Sequence, residues 1–349
     1  MTRRSACLLS AVVVTCAMTV WSASGQTLPR EPHTFLSNHI GFTDAELRDM
    51  EQGRVITKIL ETGVKTEVAV FGVVWMNASI EDFVRWQRDI ESFEKGDAVM
   101  AIQKISNPPK LADFETLTLP EKDLNAIPKC RVGKCDVKID EEALARLQGG
   151  IDWSSPDAHD QANQLIRQMM LEGTERYLEN GDHLLGTYRD KKRPLFLDQE
   201  FDGLLENSPF LIEYIPEFYR YLDDYPNVDL PGADEFLYWS KVQFGLRPTV
   251  RMNHVVMYEF GREERGAVII GSKMLYASHY FHTALELKAL VKDTAKPDTE
   301  GFYLMSLNRS RSDGLTGLFG GIVRSKGQSE SKKALAGALE SAREVLEGS

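Results

Sequence analysis

The stretch TEVAVFGVVWMNASIEDFVRWQRDIESF, residues 66–93, decides the fold class. Its first half is a valine-rich apolar run, as a buried strand requires. Ser79 then precedes Ile80, Phe83, Val84, Ile90 and Phe93, which recur near helical spacing. A serine in that place accepts from free first-turn amides, so an amphipathic helix should start there. Upstream, RVITKILE (54–61) reads as a second strand, joined to the first through a turn at Thr62 and Gly63. Thr43 and Glu46 have capping-box spacing and predict a short helix that stops near Gly53.

Residues 26–42 are polar and proline-bearing, and read as an extended arm. Strands are predicted in AVMAIQKIS (98–106) and around FETLTL (114–119), with Asn107-Pro108-Pro109 breaking the chain between them. Residues 140–225 change character and read as helical. Ser155 and Pro156 open a long helix through Ala162, Leu165, Ile166, Met169 and Tyr177, which Asn180-Gly181 ends. Further helices are predicted over 197–206 and 209–224, the second disrupted at Pro216.

Strand patterns return from Phe236. TVRMNHVVMYEF (249–260) places Val250, Met252, His254, Val256 and Tyr258 on one face. SHYFHTALELKALV (278–291) does the same for His279, Phe281, Thr283, Leu285 and Leu287. AVIIGSKMLY lies between these two, FYLMSLNRSR follows them, and the chain closes with the helix SKKALAGALESAREVLE (331–347).

This order predicts an α+β protein: a curved antiparallel sheet gripping a long C-terminal helix, with a helical insertion. The expected divisions are a signal peptide over 1–25, an arm and short helix over 26–53, and the first part of the core over 54–139. The insertion then covers 140–235, and the second part of the core covers 236–349. The opening stretch and residues 236–347 together resemble the START-like, helix-grip superfamily in element order. That resemblance implies a pocket for an apolar or amphipathic ligand and carries over no catalytic residue. KCRVGKCDVKI (129–139) and MLYASHYF (274–281) are similar to segments of uncharacterised secreted bacterial proteins.

The first residues, MTRRSACLLSAVVVTCAMTVWSASGQ, combine a charged start, a short apolar run and small residues. They read as an export signal cleaved between Gly25 and Gln26, giving a periplasmic or extracellular protein. The formal charge of -11 becomes about -13 once Arg3 and Arg4 are removed. An acidic exported chain is a poor match for nucleic acid or for general adhesion to anionic membranes, and no further apolar run is long enough for stable membrane insertion.

Cys130 and Cys135 are then the two remaining cysteines. No histidine follows Cys135 directly, no ligand set completes a metal site, and C-x-x-C spacing is absent, so a local disulfide is expected. His279 and His282 spell H-x-x-H, but on a strand they point to opposite faces. No metal and no cofactor are expected. His254, Tyr258, Tyr276 and His279 are the candidate ligand-binding residues of a cavity between sheet and C-terminal helix. The alternatives are an enzyme using a histidine acid or base in that cavity, and a partner-binding protein with a fully packed core. YRDKKRP (188–194), and the pair Arg309 and Arg311, could meet a phosphate or carboxylate headgroup, although ordinary surface charge and ion pairing account for them more simply.

Overall fold

The computed structural model describes residues 32–243, 247–260, 266–293 and 300–348. The expected signal segment and its cleavage point lie outside these residues. In place of an extended arm, Pro32–Phe35 form a helical turn (α1), and Leu36–Ile40 continue it as a π turn. The apolar side chains explain the difference, since Leu36 and Ile40 are buried beneath the sheet's neighbours. Asp44–Glu51 (α2) follows with its capping box in place: the Glu46 carboxylate accepts from the Thr43 amide at 2.8 Å. Strands Ile56–Leu60 (β1) and Glu67–Met76 (β2) pair antiparallel, and Gly63 takes a positive φ of 66° in the turn between them.

The predicted single helix after Ser79 is two: Ile80–Arg88 (α3) and Ile90–Phe93 (α4), divided at Asp89. Val99–Lys104 (β3) is a strand as expected. FETLTL is not. Leu111–Phe114 is a 3-10 turn, and the chain then runs irregularly to Glu121–Ala126 (α5). Leu117 and Leu119 are buried, and the Leu119 amide donates to the Asn163 side chain, so packing against a helix replaces strand pairing.

The insertion comprises Glu141–Gly150 (α6), Ala158–Asn180 (α7), a small hairpin of Thr187–Tyr188 (β4) and Leu195–Phe196 (β5), Leu197–Glu206 (α8), Pro209–Tyr214 (α9) and Pro216–Asp223 (α10). The division at Pro216 falls where proline predicts it, between α9 and α10. The start of α7 differs slightly from expectation. It begins two residues after Pro156, and the Ser155 hydroxyl bonds the Asp157 side chain instead of capping the helix.

Five strands complete the sheet: Asp234–Val242 (β6), Thr249–Phe260 (β7), Ala267–Ala277 (β8), Phe281–Val291 (β9) and Phe302–Ser312 (β10). The order is β1-β2-β10-β9-β8-β7-β6-β3, antiparallel throughout. The last strand therefore lies beside the second, and the two ends of the chain meet within one sheet. Gly320–Glu347 (α11) closes the chain and packs on β2 and β1.

The sheet separates two apolar layers. On one face Val68, Val70, Val74 and Met76 of β2 meet α3, α4 and the buried Leu335, Leu339 and Ala342 of α11. On the other face Phe71, Trp239, Met252, Ile269 and Leu287 meet the insertion and the first turns. Both faces are covered, which explains why β2 reads as nearly continuous apolar sequence instead of alternating.

A candidate ligand cleft beneath the helical insertion

A cavity of about 610 Å³ opens between α6, α7 and the β4–β5 hairpin on one side and strands β7 and β8 on the other. It lies on the insertion face of the sheet, opposite the face on which α11 packs, so its place differs from the expectation. The physical reason lies in α11, whose buried residues press on the β1–β2 edge and do not reach across the sheet. The insertion spans the middle strands instead.

Apolar side chains dominate the walls. Met169 and Met170 come from α7, Met252 from β7 and Leu275 from β8, and Ile139 and Leu147 add to them. Three unbranched thioethers, two from the helix side and one from the sheet side, can repack around ligands of different shape. The phenols that border the cleft use their polar ends elsewhere. Tyr177 Oη and His254 Nδ1 are 2.8 Å apart, Tyr276 donates to the Lys138 carbonyl at 3.2 Å, and Tyr188 Oη accepts from the Ala277 amide at 2.9 Å. Burial pushes the Tyr177, Tyr188 and Tyr276 hydroxyls well above the ordinary phenol range. They remain neutral at any physiological pH.

Charges are confined to the rim: Arg146, Arg176 and Arg189 with Asp140, Glu141 and Glu142. Arg146 and Glu172 form a bidentate pair at 2.5 and 3.2 Å that ties α6 to α7. That hydrogen bonding holds the Glu172 carboxyl below its usual range. A much smaller apolar void of about 60 Å³ lies further along the same face, among Phe35, Phe71, Phe210 and Tyr214. Phe210 and Tyr214, four positions apart, thus share one face of α9.

Of the four residues expected to line a pocket, Tyr276 lines this cleft. His254 lies behind it. Its Nδ1 meets Tyr177, and its Nε2 is 3.0 Å from Glu235, which also accepts from Tyr221. Burial raises the Glu235 carboxyl, but the bonds to His254 and Tyr221 outweigh it, and the net shift is downward. Tyr258 lies farther along β7, where it stacks on Phe218 and its hydroxyl is 3.4 Å from Glu217. His279 is not in a strand at all. Tyr280 adopts a positive φ of 60°, which breaks the predicted alternation before β9 begins. His279 instead meets the fully buried Asp123 at 2.7 Å, with Arg247 3.7 Å from the other carboxylate oxygen.

The two histidines of H-x-x-H bind separate carboxylates. His282 sits 3.3 Å from Glu200 and 3.1 Å from Asp313. Among the described residues no group of His, Cys, Asp and Glu could hold a metal ion. Arg309 and Arg311 do share a face. Arg309 bonds the buried Glu67 at 2.6 Å, and Arg311 lies 3.5 Å from both Glu67 and Glu200. Here the ion-pair reading describes what they do.

Sequence reasoning missed Lys273. Its ammonium is buried at the centre of β8, ion-paired with Asp182 and placed 3.7 Å from the centre of the Phe201 ring. Burial pulls its pKa below the ordinary lysine value, against the pull of Asp182. The signal was present: Lys273 has the parity of Ile269 and Leu275, the core-facing parity of AVIIGSKMLY. Met169 was legible only as helix core, and Met170 did not stand out in the sequence.

Cys130 and Cys135 are disulfide-bonded, as expected. The loop they close is held to the β4–β5 hairpin by two backbone bonds. Gly133 N donates to Arg189 O at 2.7 Å, and Cys135 N to Asp190 O at 2.9 Å. The hairpin in turn forms part of the cleft wall through Thr187, Tyr188 and Phe196. No family model matches this chain, and no curated protein or solved structure matches it either.

Proposed function

We propose that the protein binds an apolar or amphipathic small molecule, of lipid-like character, in the cleft between the helical insertion and the sheet. One observation carries the reading. The cavity is large enough for a drug-sized or short lipid-like ligand, and its inner polar atoms are already bonded to protein, which leaves apolar walls. A polar or charged ligand end would sit at the rim, where the charges are.

The antiparallel sheet order and the terminal helix support a START-like reading of the scaffold, with the pocket shifted to the inserted helices. The N-terminal sequence and the Cys130–Cys135 disulfide support a working place outside the cytoplasm. The acid–base alternative has less support. Both ring nitrogens of His254 face protein partners, and His279 is turned to Asp123.

Native mass spectrometry of the purified protein, followed by organic extraction, tests the proposal. A co-purifying apolar species that is lost from Met170→Trp, with the fold retained, is the expected result. A wild-type protein that carries nothing and takes up no fatty acid, phospholipid or hydrophobic dye would overturn it.

A further inference from the structure

The basic segment YRDKKRP and the disulfide loop KCRVGKC are distant in sequence, yet the fold places them together. Lys134 and Lys191 are partners in an isolated antiparallel bridge, and the bonds from Gly133 and Cys135 lock the two loops side by side. Residues 129–136 and 188–194 together contain seven Lys and Arg against two Asp, in a chain whose formal charge is -11. Of the two acids, Asp190 is buried and Asp136 is bonded to Arg247. Lys129, Arg131, Lys134, Lys191, Lys192 and Arg193 are all exposed. Two further acids face the cluster, Glu141 against Arg189 at 3.7 Å and Asp313 against Lys191 at 2.7 Å, and the seven cations still outnumber these four acids, so the surface is locally positive on an otherwise acidic molecule.

The chain that touches this cluster at Asp313 goes on to exposed apolar side chains. Lys191 bonds Asp313 at 2.7 Å, and five residues further the chain presents Leu318, 94% exposed, and Phe319, 67% exposed. Ile322, in the first turn of α11, is also exposed, and so is Val132 at the tip of the disulfide loop. Positive φ at Gly314 and Gly317 shapes the turn that carries Leu318 outward. Large apolar residues beside clustered lysines and arginines have the chemistry of an interfacial contact with anionic lipid.

We infer that this surface, the disulfide loop with the β4–β5 hairpin and the turn before α11, docks the protein on an anionic lipid surface. Charge complementarity selects the occupant: headgroup phosphates meet the basic loops while Leu318 and Phe319 enter the boundary between headgroups and acyl chains. The contact is peripheral and reversible. It does not rest on what fills the cleft, although the hairpin belongs to both.

Flotation of the purified full chain with vesicles tests the inference. One set is phosphatidylcholine alone, and the other is phosphatidylcholine mixed with phosphatidylglycerol. Binding is expected only to the second set, and it should weaken as salt is raised. Lys192→Gln with Arg193→Gln should weaken it about tenfold or more, at roughly 1 kcal/mol per basic residue near the surface. Leu318→Ser with Phe319→Ser should weaken it independently, at unchanged melting temperature. Equal binding to both vesicle sets, no binding, or undiminished binding by both variants would each overturn the inference. So would retention on heparin without vesicle binding, or self-association through this surface in place of vesicle binding. None of the four substituted residues lines the cleft, so ligand recovered by extraction should be unaffected. That separates failure here from failure of the proposed function.

Discussion

The carbonyl oxygen of Tyr225 stands 1.7 Å from the point that a Cβ on Gly181 would occupy. Gly181 ends α7 at φ 66° and ψ -146°, a backbone conformation close to glycine-only. The helix can therefore turn directly onto the segment after α10, and the next residue, Asp182, reaches Lys273 in the sheet.

Gly181→Ala should destabilise the protein by about 3 kcal/mol or more, because strain and a backbone clash act together. Urea unfolding followed by circular dichroism measures it. A loss below about 1 kcal/mol would show that the junction relaxes easily.

Lys273 and Asp182 should behave as a coupled buried pair. Lys273→Met alone leaves a buried carboxylate without its ammonium and should cost about 3–5 kcal/mol. Adding Asp182→Leu should recover part of that loss. A double-mutant cycle with no coupling would contradict the arrangement.

The His282 network predicts a pH profile. Burial lowers the His282 pKa, but hydrogen bonds to Asp313 and Glu200 outweigh it, and the net shift is upward. Burial likewise raises Asp313, while His282, Lys138 and Lys191 outweigh it and bring that carboxyl well below its usual range. The histidine contribution is complete below the unfolded value of about 6.5 and is lost as pH rises through the folded pKa. The aspartate contribution is complete above about 4 and is lost as pH falls through its folded pKa. Stability from this cluster should therefore peak between roughly pH 4.5 and 6.5. His282→Gln should flatten the alkaline limb of melting temperature against pH and leave the Lys-paired share of the acid limb.

Removing the disulfide as Cys130→Ser with Cys135→Ser closes no loop in the unfolded chain and should cost about 2 kcal/mol. Thermal unfolding measures the loss. Faster hydrogen exchange should appear at Gly133 and Cys135→Ser, whose amides bond the hairpin.

Filling the cleft should not cost the fold. Met170 is half-buried at the cavity wall, so Met170→Trp should change stability by less than about 1.5 kcal/mol while displacing ligand. A large loss of stability would mean that the cavity is tighter than its volume indicates.

Much of the local structure was legible because its causes are local. The Thr43–Glu46 box, the Ser79 cap, the glycine turn at Gly63, the interruption at Pro216 and the helix end at Gly181 each follow from the conformations their own residues allow. The strands of the second half follow from alternation. FETLTL misled because an apolar run shows that a segment is buried without showing what buries it, and here α7 takes the place of a neighbouring strand.

The site was less legible than the fold. His254 and His279 stood out as polar residues on apolar faces, yet whether such a group faces a ligand or a carboxylate depends on a partner remote in sequence. Glu235 is 19 positions from His254, and Asp123 is 156 positions from His279. Pairing of Arg309 with Glu67 spans 242 positions.

By itself the sequence determined the α+β class, the order of the main sheet strands and the closing helix, the disulfide and the presence of an inserted helical block, because periodicity, caps and turn residues act over a few positions. Tertiary structure alone decided which face of the sheet carries the cleft. That choice depends on how far α11 reaches across the strands and on which helices cover the remainder, and both are set by packing between segments far apart in the chain.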